Sequence, residues 1–257
     1  MVETHYPFIE RALAAVDGEL GIATTERRAF ERFRSRLSAV DPAPPRPGPG
    51  SPAAGSPVLA VAGSNAATQG KPLERVRTAY RETVMSVPHF DAEYGDSLRE
   101  SVAIEFGVDV ASRVTADGAL TPTLREALLA AAASKVDERE EYERVLRRER
   151  ESLRDVQSGL ADCEKRAHAL GDAAAEAAGD ELADLDARFA ALEETCDDLA
   201  AERQRVIHGR RVSRISGITG DSLAGLLYAD LETTCPALRE VAGCLDTVRS
   251  HRRQCLR

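Results

Sequence analysis

From Tyr142 to Leu170 the chain carries a stripe in alternating steps of four and three: Tyr142, Leu146, Glu149, Leu153, Val156, Leu160, Cys163, Ala167 and Leu170. A repeat of this kind puts every member on one narrow face of an α-helix, and a narrow face is buried only against another helix. A second run follows in Leu182, Leu185, Phe189, Leu192, Cys196, Leu199, Arg203 and Val206. Between the runs, Gly171–Asp180 holds two Gly–Asp pairs, each able to end one helix and cap the next, and the phase slips by one residue across the gap. The predicted fold is therefore all-α, with a long antiparallel coiled-coil hairpin of Pro122–Leu170 and Asp180–His208. A turn centred on Gly179 brings Cys163 and Cys196 nearly level. A turn between the two pairs staggers them by about two helical turns. The rival arrangement is one continuous rod to His208, paired with a second chain.

The rest of the chain divides around this hairpin. Residues 1–40 hold one amphipathic helix, Pro7–Val40, with Ile9, Leu13, Val16, Leu20, Ala23, Phe30 and Leu37 in helical spacing and Phe33 beside them. Residues 41–70 are rich in Pro, Gly, Ser and Ala, a composition that blocks hydrogen-bonded structure and predicts a disordered linker. Residues 71–120 read as a small helical unit. Its helices are Leu73–Val87 stopped by Pro88, a second capped by Asp96 and running to Phe106, and a third over Val108–Val114. Its core is predicted from Tyr80, Phe90, Tyr94 and Phe106. Residues 121–208 are the hairpin, opened by a Thr121 cap with Pro122 in the first turn, or by a capping box from Thr123 to Glu126. Residues 209–257 hold a Gly/Arg/Ser break, a short helix Ser222–Leu231, and a last helix from Cys235–Pro236 using Leu238, Val241, Leu245, Val248 and Cys255. Both terminal helices carry stripes that need cover, so Pro7–Val40 and Pro236–Arg253 are expected against the hairpin as a bundle of up to four helices.

Composition agrees with long helices. Aromatic residues make up only 4% and Trp is absent, which a bundle closed by Leu, Val and Ala tolerates. Lys occurs only at Lys71, Lys135 and Lys165, the other basic residues are Arg, and the net charge is −9. This is the balance of a salt-adapted protein, in whose medium the Debye length falls to about 3 Å. No signal peptide or membrane-spanning stretch is predicted, which gives a cytoplasmic location.

The stretch VRTAYRETVMSVPHFDAEYGDSLRESVAIEFGVDVASRV (Val76–Val114), continued by LTPTLREALLAAA (Leu120–Ala133), resembles an uncharacterised family of haloarchaeal proteins. The resemblance implies a salty archaeal cytosol and carries no activity with it.

Sequence chemistry is sparse. Gly63, Gly70 and Lys71 fail as a phosphate loop, because six residues separate the glycines and Pro72 follows the lysine. His89 is a candidate general base with Asp91 or Glu93 as its orienting partner, weighed against an ordinary loop histidine. Cys163 and Cys196 fall on stripe positions and read as small core hydrophobes. His251 and Cys255 share a helix face, but two ligands are not a metal site. No catalytic residue, cofactor or metal is predicted. Two Arg-rich stretches, Arg203–Arg214 and Arg249–Arg257, suit nucleic acid. They lack aromatic neighbours, however, and the favoured expectation is that they neutralise the acidic stretch Asp180–Glu202.

These features predict a non-enzymatic coiled-coil scaffold or interaction protein with a protein partner, monomeric in preference to dimeric. One alternative is a DNA-binding regulator with a helical head and a coiled-coil dimeriser. The other is an enzyme or small-molecule binder using the His89 neighbourhood.

Overall fold

The computed structural model describes residues 5–42, 65–212 and 220–255. Among them every regular element is helical: α1 (Pro7–Ser38), α2 (Asn65–Arg81), α3 (Phe90–Glu93), α4 (Leu98–Phe106), α5 (Val108–Thr115), α6 (Pro122–Ala174), α7 (Asp180–Val212), α8 (Gly220–Leu227) and α9 (Pro236–Cys255). The chain is all-α, as its periodicity requires. Residues 43–64, most of the expected linker, and 213–219, in the Gly/Arg/Ser break, lie outside the described residues. Helix α2 reaches back to Asn65, into the stretch expected as linker, and carries Pro72 inside it. The chain forms two compact units, residues 1–21 with 142–257, and residues 22–141.

In the first unit α6 and α7 form the hairpin. Glu149 meets Arg203, Gly159 meets Leu199, and Cys163 hydrogen-bonds Cys196. Residue numbers rise on one helix as they fall on the other, so the helices are antiparallel. The turn lies at Gly179, whose φ of +58° is the left-handed conformation that glycine adopts without a Cβ penalty. Cys163 and Cys196 are therefore level. Gly171 does not end α6, which continues to Ala174. A Cβ on Gly171 would lie 3.0 Å from Nδ1 of His251, so the glycine serves the close approach of α9. At the other end Thr121 caps α6, its hydroxyl accepting from the Leu124 amide at 3.1 Å.

The first half of α1 and α9 complete this bundle. The Phe8 amide donates to Glu240 at 2.8 Å, and the Arg239 guanidinium lies 4.0 Å from the Phe8 ring centroid. Tyr142 donates to Glu19 at 2.9 Å, and Arg150 pairs with Asp17 at 3.2 Å. On α9, Arg252 grips Asp186 at 2.6 and 3.1 Å and Glu193 at 3.0 Å. Two carboxylates of the acidic helix α7 are thus paired with an Arg of the same chain. The side chains of Arg210, Arg211, Arg214 and Arg257 lie outside the described residues.

Gly159 offers a direct check of the register. Alanine in a helix interior gains about 1 kcal/mol over glycine, but here its Cβ would fall 2.7 Å from Cδ2 of Leu199. We expect Gly159→Ala to be close to neutral alone and to recover about 1 kcal/mol in a Leu199→Ala background, read as a coupling in thermal unfolding. Equal effects in both backgrounds would place Leu199 elsewhere.

The second unit takes the remainder of α1, which still lies along α6, with Arg125 donating to the Ser38 and Val40 carbonyls, but shares its core with α2, α4 and α5 rather than with α7 and α9. The cause is aromatic packing. Phe33 meets Tyr80 edge-on at 5.2 Å and stacks on Phe106 at 5.9 Å, while Phe30 reaches Phe106 at 6.1 Å. Val76, Val102, Val114, Leu120 and Leu128 enclose this cluster. Helix α2 stops at Arg81, well before Pro88. The Thr83 hydroxyl takes the Ala79 carbonyl at 2.6 Å and the Ser86 hydroxyl takes that of Glu82 at 2.8 Å, competing with the helix for its acceptors. Helix α4 is capped by Ser97, not Asp96. Ser97 and Glu100 form a reciprocal capping box, a Ser-x-x-Glu signal present in the sequence but missed.

Candidate functional site

His89 lies in the turn that leads into α3, held by the buried Val87 and Phe90 on either side. Its partner is Glu26 of α1, with Nε2 3.4 Å from Oε1. Asp91 and Glu93, the expected orienting residues, are exposed instead, because the turn of α3 directs them outward. Glu26 is shared three ways. Its Oε1 accepts from the Tyr94 hydroxyl at 2.8 Å, and its Oε2 accepts from Nε of Arg139 at 3.1 Å. Arg139 also donates to Glu105 at 3.0 Å and lies over the Phe30 ring, and Lys135 stands 3.7 Å from Glu105.

The electrostatics follow from this geometry. Burial, and then the Glu26 carboxylate, push the Tyr94 hydroxyl above its ordinary range. Burial opposes the charge on Arg139, but Glu105 and Glu26 outweigh it and raise its pKa. Tyr94 therefore stays protonated and Arg139 stays charged. The arrangement ties α1, both ends of α3, and α6 together through the Glu26 carboxylate, and Arg139 extends it to α4 through Glu105.

Beside this network is a small pocket of about 40 Å³, room for about three water molecules. Ala29, Phe30, Val84, Val87 and Phe90 line it as buried apolar walls, while Tyr94 and Ile104 line it with 47% and 67% of their surface exposed. His89 is not among the lining residues. Tyr94, expected in the core, is at the surface. Glu26, Asp96 and Glu105 bring three carboxylates to the lining, and no basic side chain joins them.

The first unit holds a different constellation. Glu149 and Arg203, in-phase members of the two stripes, face each other in the bundle interior with 0% and 2% exposure. Arg203 donates to the two carboxylate oxygens at 2.9 and 2.7 Å and to Ser152 at 2.9 Å, and Tyr228 donates to Glu149 as well. Burial works against the Arg203 charge, yet the Glu149 hydrogen bond and charge raise its pKa. The pair is therefore ionic and preorganised, with every strong donor aimed at its own partner except Nε of Arg203, which has none.

Cys163 and Cys196 are core groups, as their stripe positions imply. Cys163, Cys196 and Cys244 are buried, with Cys196 donating to Cys244 at 3.9 Å. The hydrogen bond with Cys196 and burial push Cys163 up. For Cys196, the bond with Cys163 lowers its pKa, but the bond with Cys244 and burial prevail and push it up to about 12. Such thiols stay protonated and unreactive. The side chain of Cys255 lies outside the described residues, and His251 stacks edge-on with His168 at 5.5 Å. Among the described residues no three His, Cys, Asp or Glu side chains are placed to hold a metal, and no helix is long and apolar enough to cross a membrane.

No curated protein and no solved structure matches the chain. A family model described as a domain of unknown function (DUF7260) matches residues 8–252 and so includes the whole of Val76–Ala133. The chain belongs to the DUF7260 family, a domain of unknown function.

Proposed function

We propose that this is a non-enzymatic interaction protein, in which the helical hairpin acts as a coiled-coil scaffold and the unit of residues 22–141 presents the contact surface. The observation that carries this is the exposure of Tyr94 and Ile104 at the mouth of an apolar pocket. A soluble domain that leaves large apolar side chains around a concavity has surface suited to a partner. The polar network behind the pocket supports the same reading, since its carboxylates are tied to Arg139 and Tyr94 and give the surface a rigid base. The setting we infer is a salty, haloarchaeal cytoplasm, supported by the three lysines, the net charge of −9 and the Ala-rich sequence. Within the chain, Glu149 and Arg203 satisfy each other, which supports a monomer over a dimer with a shared dry seam.

The test is affinity capture from native extract at molar salt, comparing the full chain with Ile104→Asp. A protein recovered by the first and lost from the second is the expected result. Enrichment of nucleic acid, or capture of nothing but small molecules, would overturn the interaction-protein reading.

A further inference from the structure

We infer that the pocket beneath Tyr94 and Ile104 takes one aliphatic side chain of a basic protein segment, with lysines or arginines flanking that side chain. This rests on the proposed interaction function and adds the partner's chemistry.

Three observations combine. The cavity is small, about 40 Å³, which suits the tip of a single side chain and not a cofactor. Ala29, Phe30, Val84, Val87 and Phe90 give it an apolar wall beside the carboxylates, and the exposed Tyr94 and Ile104 extend the apolar surface outward, so an aliphatic group that packs on that wall gains burial. The chain that supplies α3 and α4 is acidic, and the basic side chains beside the pocket, Arg139 and Lys135, are already engaged with Glu26, Glu105 and Glu138. Between Phe90 and Asp109 the chain has Asp91, Glu93, Asp96, Glu100, Glu105 and Asp109 against the single Arg99. Glu105 is already paired with Arg139, and Glu100 is engaged with the Ser97 cap. Asp91, Glu93 and Asp109 are exposed and Asp96 is half-buried at the pocket itself. A segment with acidic flanks would be repelled, and one with basic flanks would be oriented, while the apolar insertion provides the affinity.

The probe is a fluorescein-labelled helical peptide of Ala and Lys carrying one Leu, titrated into the full chain and read by anisotropy. Two matched peptides replace Lys by Glu, or Leu by Ala. We expect the Lys/Leu peptide to bind at least about tenfold more tightly than either. Ile104→Asp is the decisive variant. It adds negative charge, so binding by charge alone would strengthen, whereas binding through the pocket should weaken at least about tenfold. Ile104 is exposed, and an unchanged thermal melt confirms that the variant is folded. In molar KCl the penalty for Glu peptides should shrink and the penalty for Leu→Ala should persist. Unchanged or tighter binding to Ile104→Asp would overturn the pocket. So would light scattering that gives twice the 27.7 kDa chain mass for the wild type and the single mass for the variant, because a second copy would then be the occupant. If extract capture yields a protein that Ile104→Asp retains, the interaction function stands and this surface falls. If capture yields no protein while the peptide results hold, the reverse follows.

Discussion

Arg203→Met should destabilise the bundle unit by about 3–5 kcal/mol, because it leaves the Glu149 carboxylate buried without its counter-charge. The cost is not the worth of the ion pair. Removing both charges in Glu149→Leu/Arg203→Met should restore most of the loss, since an apolar pair fills the seam without desolvating ions. Recovery should be incomplete because Ser152 and Tyr228 then lack their partners, at about 1 kcal/mol or more for each hydroxyl. Adding Tyr228→Phe should return part of that. Urea unfolding followed by circular dichroism gives the comparison, and a double variant no more stable than the single one would show that the pair is not buried as described. Each charge interrupts an otherwise apolar stripe, and their pairing occurs in only one register of the hairpin. A slip by one heptad would bury each charge against hydrocarbon, so we expect the pair to serve register more than stability.

Phe33→Ala should cost about 3–5 kcal/mol in the unit of residues 22–141. Phe33 is fully buried and contacts Tyr80 edge-on and Phe106 face-on. Its removal empties the centre of the aromatic cluster, in a chain with few rings to spare. Tyr80→Phe is the milder control. It keeps the ring and removes only the hydroxyl, which lies 3.0 Å from the Ser101 hydroxyl, and should cost about 1 kcal/mol. Hydrogen exchange of the amides in Leu73–Arg81 reports the loss directly. A cost for Phe33→Ala below that of Tyr80→Phe would remove Phe33 from the core.

The two polar networks differ in how far the sequence announced them. Glu149 and Arg203 stood out because a charge on a heptad stripe breaks a pattern. The pattern left open whether they would reach water or pair with neighbours near the open end of the hairpin. The Glu26 network had no such signal. Glu26 lies on the flank of the α1 stripe and His89 is 63 residues away along the chain, while Arg139 comes from yet another helix. Exposed positions on amphipathic helices carry carboxylates everywhere, so nothing local distinguished Glu26 from its solvated neighbours. The pocket was illegible for the same reason. Ile104 looks like a core residue by composition, and only the packing of α4 against α5 leaves it outside.

Periodicity alone determined that the chain is helical, that each stripe needs a partner helix, and that Cys163 and Cys196 lie on those stripes. These follow from local stereochemistry: a repeat near 3.5 residues puts one face of one helix out of water, whatever the partner. Tertiary structure decided where the turn falls and where α1 changes partners. Both Gly–Asp pairs were competent to reverse the chain, but Gly171 lies inside α6, where His251 of α9 packs closely on it, and the reversal falls at Gly179. Likewise one continuous stripe on α1 permits any apolar partner. It is the bulk of Phe30 and Phe33, matched to the rings of Tyr80 and Phe106, that assigns its second half to another core. Such choices depend on shape complementarity between segments distant in sequence, and a single helix face carries no record of the surface it will meet.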